Sequence, residues 1–202
     1  DIDLSFTEQI LKVLEQFLDD FRDTPIISLY ANEVFLMTKG DRKYFKTLKN
    51  ICTNESHGLT YADIYSLNNI MQRYMTKQVL TGKHAFAREK FNFYALAVSR
   101  NNIRLPFSKN IDEHMFISIV KTALETKNVL WAENFIKDND HLLKDETKSS
   151  VVELCRAAIG LVQGNFESRV LYLGNIKTKR TEASIYIESL LLKVFLELSL
   201  FN

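Results

Sequence analysis

The stretch Ser149–Ile176, SSVVELCRAAIGLVQGNFESRVLYLGNI, indicates the fold class of this chain. Both of its halves carry apolar residues at helical spacing, and Gly164 lies between them. Glycine tolerates the left-handed backbone conformation with which many helices end. The stretch therefore predicts a hairpin of two helices joined at Gly164.

The composition extends this prediction to the whole chain of 202 residues. Only 6 glycines and 2 prolines are present, so the turns that sheets require are scarce. No alternating polar and apolar run is bounded by Asn-Gly or Asp-Gly turns. Apolar stripes at helical spacing recur instead, for example Ile10 and Phe17 on the first helix, and Met115 and Phe116 on a later one. We expect Asn110 to cap the start of that later helix. The sequence predicts an all-α fold.

The breaks between helices recur at regular positions. Gly40, Gly82, Asn128, Gly164 and Asn202 are separated by 42, 46, 36 and 38 residues, the range of two-helix repeats. A helical hairpin buries its apolar faces only by stacking on its neighbours. We therefore predict one domain over 1–202, an α-α superhelix or solenoid with hairpins at 25–54, 60–100, 110–140 and 145–176, and with 181–202 as the first helix of an incomplete repeat.

One hairpin carries a family resemblance. The segment 163–167, QGNFE, followed by Val170 and Leu173, resembles the turn and second helix of a tetratricopeptide repeat, and Ala157 matches the small residue of its first helix. Arg169 departs from that pattern, and the spacing of the breaks exceeds the family's repeat of roughly 34 residues. The order of features over 64–202 also resembles uncharacterised bacterial proteins with degenerate repeats. The resemblance implies a scaffold whose groove holds a protein or peptide partner.

A polar stripe on the helix from about Thr60 to Thr81 suggests a binding site. Ser66, Asn69, Arg73 and Lys77 lie at i, i+3, i+7 and i+11 and share one face. In tetratricopeptide folds the first helix of each pair lines the concave groove. The resemblance thus implies that Asn69 and Arg73 hold a peptide backbone or carboxylate, and the other interpretation, an ordinary solvated face, stays open.

The residues that carry chemistry are dispersed. The four histidines occupy different segments without a His or Cys at i+3 or i+4, and no nucleophile elbow, Walker loop or dinucleotide fingerprint occurs. Cys155 lies in an apolar helix without a positioned base. We predict a protein that is not an enzyme and that has no metal site and no cofactor.

Charge leaves one alternative function open. The net charge is only +1, which favours neither nucleic acid nor an anionic membrane. Basic residues nevertheless cluster in three places, at 39–49, 83–90 and 177–180. If stacking aligned these clusters, phosphates could bind along them, so a nucleic-acid-associated repeat protein is the alternative to a protein-binding scaffold.

The ends of the chain and its cysteines lead to the remaining expectations. Glu188, Lys193 and Glu197 interrupt the apolar region 185–201, which predicts a buried helix and no membrane span. We expect a fragment of a longer protein, because the chain begins at Asp1 and stops directly after that helix, whose uncovered apolar face could form a homodimer contact. Two cysteines without a CxxC pair indicate a reducing, cytoplasmic location.

Overall fold

Helices make up most of the structure. The computed structural model describes residues 4–20, 24–54 and 58–164. Within these ranges there are eight α-helices, one 3-10 turn (Asp140–Leu142) and no strand. The all-α prediction is confirmed for this part of the chain. The helices are α1 (Leu4–Asp20), α2 (Pro25–Lys39), α3 (Arg42–Asn54), α4 (Tyr61–Leu80), α5 (Ala85–Ser99), α6 (Glu113–Glu125), α7 (Val129–Asn139) and α8 (Asp145–Val162).

Side-chain caps set the starts of α4 and α6. Thr60 and Asp63 form a capping box in which the Thr60 backbone N–H donates to Asp63 Oδ2 over 2.8 Å. The predicted cap of α6 at Asn110 is wrong, because Asp112 Oδ1 accepts the backbone N–H groups of the first turn. Asn110 instead donates from Nδ2 to the carbonyl of Leu142, 3.3 Å away, and thereby ties two loops together.

At the four predicted breaks within the described residues, left-handed residues follow the helices, with one correction, and the predicted break at Asn202 lies outside those residues. Gly40 has φ 70°, and its N–H donates to the carbonyl of Leu36 at the end of α2. At the third break the left-handed residue is Lys127, with φ 63°, and not Asn128. The Asn128 backbone N–H bonds to Ala123 O over 2.8 Å, so Asn128 already leads into α7.

The left-handed backbone conformation of Lys127 leads to a testable prediction about stability. A lysine in the left-handed region carries a steric cost of roughly 1–2 kcal/mol that glycine avoids. Lys127→Gly is therefore expected to raise the free energy of unfolding by about 0.5–1 kcal/mol, whereas Lys137→Gly, inside α7, should lower it by a similar amount. Urea denaturation followed by Trp131 fluorescence compares the two variants. Equal destabilisation by both would contradict the argument.

The chain forms two compact units, Asp1–Lys90 (unit 1) and Phe91–Asn202 (unit 2), and the division falls inside α5. In unit 1, α2 packs against α1, α3 and α4, and α3 packs against α4. The core residues Leu29, Phe35, Phe45, Leu48, Leu67 and Met75 are almost wholly buried. Phe45 stacks on Tyr74 with ring centroids 4.9 Å apart, and Phe86 meets both rings edge-on.

In unit 2, α6 packs against α7 and α8, and α7 packs against α8. The predicted apolar face of α6 is confirmed, since Met115, Phe116, Ile119, Val120, Ala123 and Leu124 are all buried. Aromatic rings continue from this face into α7. Phe116 lies 4.8 Å from Phe135 between ring centroids, and Phe135 stacks on Trp131 at 5.6 Å. The core of unit 2 is thus built around α6.

The two units repeat one order of helices. Each has a pair joined at a left-handed residue (Gly40 or Lys127), then a longer helix that packs on both members of the pair. The lengths are 15, 13 and 20 residues in α2–α4, and 13, 11 and 18 in α6–α8. The longer helices begin 84 residues apart, at Tyr61 and Asp145. The two sets therefore share an order of helix lengths, and their longer helices start about twice the predicted spacing apart.

The predicted hairpins correspond to the helices as follows. The ranges 25–54 and 110–140 match the packed pairs α2–α3 and α6–α7, and 60–100 covers α4 and α5. The second helix of 145–176, the final helix 181–202 with its homodimer contact, and the basic cluster at 177–180 lie outside the described residues. One domain over 1–202 stays a prediction. None of the helices in the described ranges has the length and apolar character needed to span a membrane.

Candidate functional site

A cavity of about 230 Å³ lies within unit 1, between the last turn of α2 and the second half of α4. Leu36 and Met37 of α2 and Ile70 and Tyr74 of α4 form its apolar wall. Gly40 also lines it, because α2 ends there and the chain turns away. The two helices pack directly against each other, so their contact fixes the width of the cavity.

The polar lining of this cavity is cationic. Lys39, Arg73 and Lys77 line it, together with Thr38 and Gln78, and no aspartate or glutamate of the described residues does. Arg73 and Lys77 are four residues apart, so they lie on one face of α4 in successive turns. We call this site the cationic cavity.

Two of its polar groups are already engaged within unit 1. Lys39 forms an ion pair with Glu15 of α1, and its ammonium lies 5.0 Å from the centroid of the Phe35 ring. That ion pair lowers the pKa of Glu15 and raises the pKa of Lys39. Gln78 Oε1 accepts a hydrogen bond from Lys83 Nζ over 2.6 Å.

Arg73 and Lys77 are different. Both are exposed, and neither makes a hydrogen bond or ion pair with any residue that the structure describes. Guanidinium and ammonium groups beside an apolar wall are suited to a ligand that is anionic at one end and apolar at the other. The cationic cavity therefore offers two free donors for a carboxylate.

The structure separates the residues of the predicted polar stripe. Arg73 and Lys77 line the cationic cavity. Asn69 and Ser66 are half-buried and lie outside its lining. The wall from α2 was not predicted, because Leu36 and Met37 belong to another helix than the polar stripe. The only sequence feature that could have pointed to these two residues is their position just before the break at Gly40.

A second polar feature of unit 1 is a buried carboxyl pair, Glu33 of α2 and Asp63 of α4. Glu33 is 4% exposed and Asp63 is 8% exposed. Glu33 Oε1 has no hydrogen-bond partner among the described residues. Tyr30 donates its hydroxyl to Asp63 Oδ1 over 2.6 Å. This bond, with those from Thr60, lowers the pKa of Asp63. Burial, and then the negative charge of Asp63, raises the pKa of Glu33 to about 7.

The two basic clusters within the described residues, at 39–49 and 83–90, have several members engaged within unit 1. Lys49 pairs with Glu89 over 2.8 Å. Arg42 lies over the Phe86 ring and Lys43 over the Tyr44 ring, at 5.5 and 4.7 Å from the centroids. Lys90 is 8% exposed. Several of these cations are therefore occupied by residues of their own unit. Nucleic-acid binding stays the alternative hypothesis.

The cysteines differ in their surroundings. Cys155 of α8 is 1% exposed, and burial raises its pKa, so it is held as the thiol. Cys52 is half-buried, with Sγ 3.9 Å from Asn68 Oδ1. Over the described ranges, no three side chains of the His, Cys, Asp and Glu type converge as metal ligands would.

No protein-family model, no curated protein and no solved structure matches this chain.

Proposed function

We propose that this chain is a non-catalytic scaffold, an α-solenoid of stacked helical hairpins similar to tetratricopeptide-repeat proteins, which binds a protein or peptide partner. The observation that carries the proposal is the cationic cavity, where Arg73 and Lys77 face an apolar wall without a counter-ion among the described residues. Peptide recognition needs both elements, since apolar pockets supply affinity and charge-assisted hydrogen bonds supply orientation.

The repeated order of helices also supports a scaffold. Helical pairs that bury their apolar faces only by packing on further helices are typical of solenoids, whose concave surfaces are used for binding. Cys155 is buried in unit 2, and burial raises its pKa so that it stays a thiol. Because the thiolate is the nucleophilic form of cysteine, this side chain is unsuited to nucleophilic catalysis, which agrees with a non-catalytic scaffold.

A peptide selection tests the proposal. Unconstrained random peptides of about a dozen residues, displayed on phage, are selected against the intact chain, and the enriched peptides are titrated by calorimetry. We expect sequences that combine a carboxylate with apolar residues. Arg73→Ala with Lys77→Ala should weaken their binding by at least about tenfold, since a hydrogen bond to a charged group contributes about 1.5–3 kcal/mol.

A matched variant controls for net charge. Lys137→Ala with Arg156→Ala removes the same two side-chain types from exposed positions in unit 2 and should leave peptide binding unchanged. Equal loss of binding in both double variants would indicate a general charge effect and contradict the proposal. Failure to enrich any peptide would contradict it directly.

A further inference from the structure

From Ile27 to Met37, every exposed residue of α2 is aliphatic or aromatic. Ile27, Tyr30, Val34 and Met37 are 37%, 45%, 39% and 66% exposed, and their spacing of three, four and three residues places them on one face. We call this face the α2 stripe. Helices α1, α3 and α4 all pack against α2, yet each of these four residues keeps more than a third of its surface exposed.

This side lacks the charges that usually cover a solvent-facing helix. From Pro25 to Thr38 the only ionisable acid or base other than Tyr30 is Glu33, and Glu33 is buried. Exposed helix faces normally carry charged and polar residues, so a stripe of four large apolar side chains indicates a surface that is covered by a partner.

Tyr30 is held in place at the centre of this stripe. Its hydroxyl is bound to Asp63, while 45% of the residue stays exposed. A ring fixed in this way loses little conformational freedom when a partner packs on it, and tyrosine is enriched among residues that dominate binding energy. The stripe therefore contains a preorganised anchor.

The α2 stripe continues into the cationic cavity. Met37 is the last residue of the stripe and also part of the cavity wall. Arg73 and Lys77 line the same cavity as Met37, and none of the described residues in its lining is acidic. A partner that follows the stripe thus meets apolar side chains first and two uncompensated cations at the end.

We propose that the α2 stripe and the cationic cavity together bind an amphipathic helix of a partner protein, with its apolar face on the stripe and acidic side chains over Arg73 and Lys77. The stripe extends over eleven residues, which is ten steps or about 15 Å at roughly 1.5 Å per residue, and this length matches about three turns of a partner helix. Its spacing suits anchors at i, i+3 or i+4, and i+7. This inference rests on the proposed function and specifies the class of partner.

The test adds a second library to the peptide selection. Peptides of about 15 residues, a length at which helices in water are marginal, are held helical by a side-chain staple and randomised on one face. We expect enriched helices with apolar residues at helical spacing followed by Asp or Glu. Val34→Ser with Met37→Ser should weaken the binding of these helices by about tenfold or more. Leu80→Ser with Leu130→Ser, which removes two exposed apolar side chains outside the stripe, should leave their binding unchanged. Arg73→Glu with Lys77→Glu should shift the selection from acidic to basic ends.

Other outcomes overturn the inference, and they separate it from the proposed function. If only unconstrained peptides bind and they need Arg73 and Lys77, the helix is wrong and the scaffold function stands. If neither library is enriched, both fail. If helices bind equally well to the Val34→Ser and Met37→Ser variant, the stripe is not their site. A wild-type dimer in sedimentation velocity that this variant abolishes would assign the stripe to a second copy of the chain.

Discussion

Phe116→Ala is expected to lower the free energy of unfolding of unit 2 by about 3–5 kcal/mol, the largest effect of any single substitution proposed for this protein. Phe116 is 0% exposed and lies on α6, the helix that packs against both α7 and α8. Its ring touches Phe135, which in turn stacks on Trp131. Alanine would leave a cavity at the centre of these contacts, because the surrounding helices can collapse only partly.

The single tryptophan makes this prediction simple to measure. Trp131 lies in unit 2 beside Phe135, so its fluorescence in a urea titration reports the unfolding of that unit. Phe107→Ala is the matched control, since Phe107 is fully exposed at 102% and the same deletion there creates no cavity. An unfolding midpoint for Phe116→Ala equal to that of Phe107→Ala would show that the Phe116 ring contributes nothing to the core.

Glu33→Gln is expected to stabilise the protein at about pH 8 by on the order of 2 kcal/mol and to change it little at about pH 4.5. In the folded chain the pKa of Glu33 is raised from 4.5 to about 7 by burial and by Asp63. The folded state therefore holds this proton more tightly than the unfolded state does. The contribution of Glu33 to stability is full below pH 4.5, declines as the pH rises through 4.5 to about 7, and stays low above that.

The rest of the buried carboxyl pair behaves in the opposite sense. The pKa of Asp63 is lowered by Tyr30 and Thr60, so its stabilising contribution is present above its usual value of 3.8 and is lost as the pH falls further. The difference between the wild type and Glu33→Gln isolates Glu33 from this second titration, because Asp63 is common to both proteins.

Urea denaturation followed by circular dichroism at about pH 4.5 and about pH 8 measures the effect. Glu8→Gln, at an exposed position of α1 in the same unit, controls for the loss of one carboxylate. The interpretation fails if the stability difference between Glu33→Gln and wild type is the same at both values of pH.

Local sequence signals predicted the helices well and their mutual packing less well. Gly40 predicted the end of α2 because only the residue itself and its neighbours determine whether a left-handed end is tolerated. Lys127 could not be predicted in the same way, since the hydrogen bonds of the following Asn128 place the turn one residue earlier than the composition suggests. For the candidate site, Arg73 was predicted from spacing on one helix, while the wall that completes the cavity comes from another helix.

The amino-acid sequence by itself determined that the described part of this chain is helical, where most of its helices begin and end, and that Arg73 and Lys77 share a face of α4. These are properties of residues within one or two turns of each other, governed by capping, backbone conformation and periodicity. The tertiary structure alone decided which apolar residues stay in solvent. Ile10 and Phe17 form an apolar stripe in the sequence yet are 44% and 51% exposed, and Met37 is 66% exposed while the adjacent Leu36 is 3% exposed. Burial depends on which helices pack together, and local periodicity carries no information about a helix's neighbours.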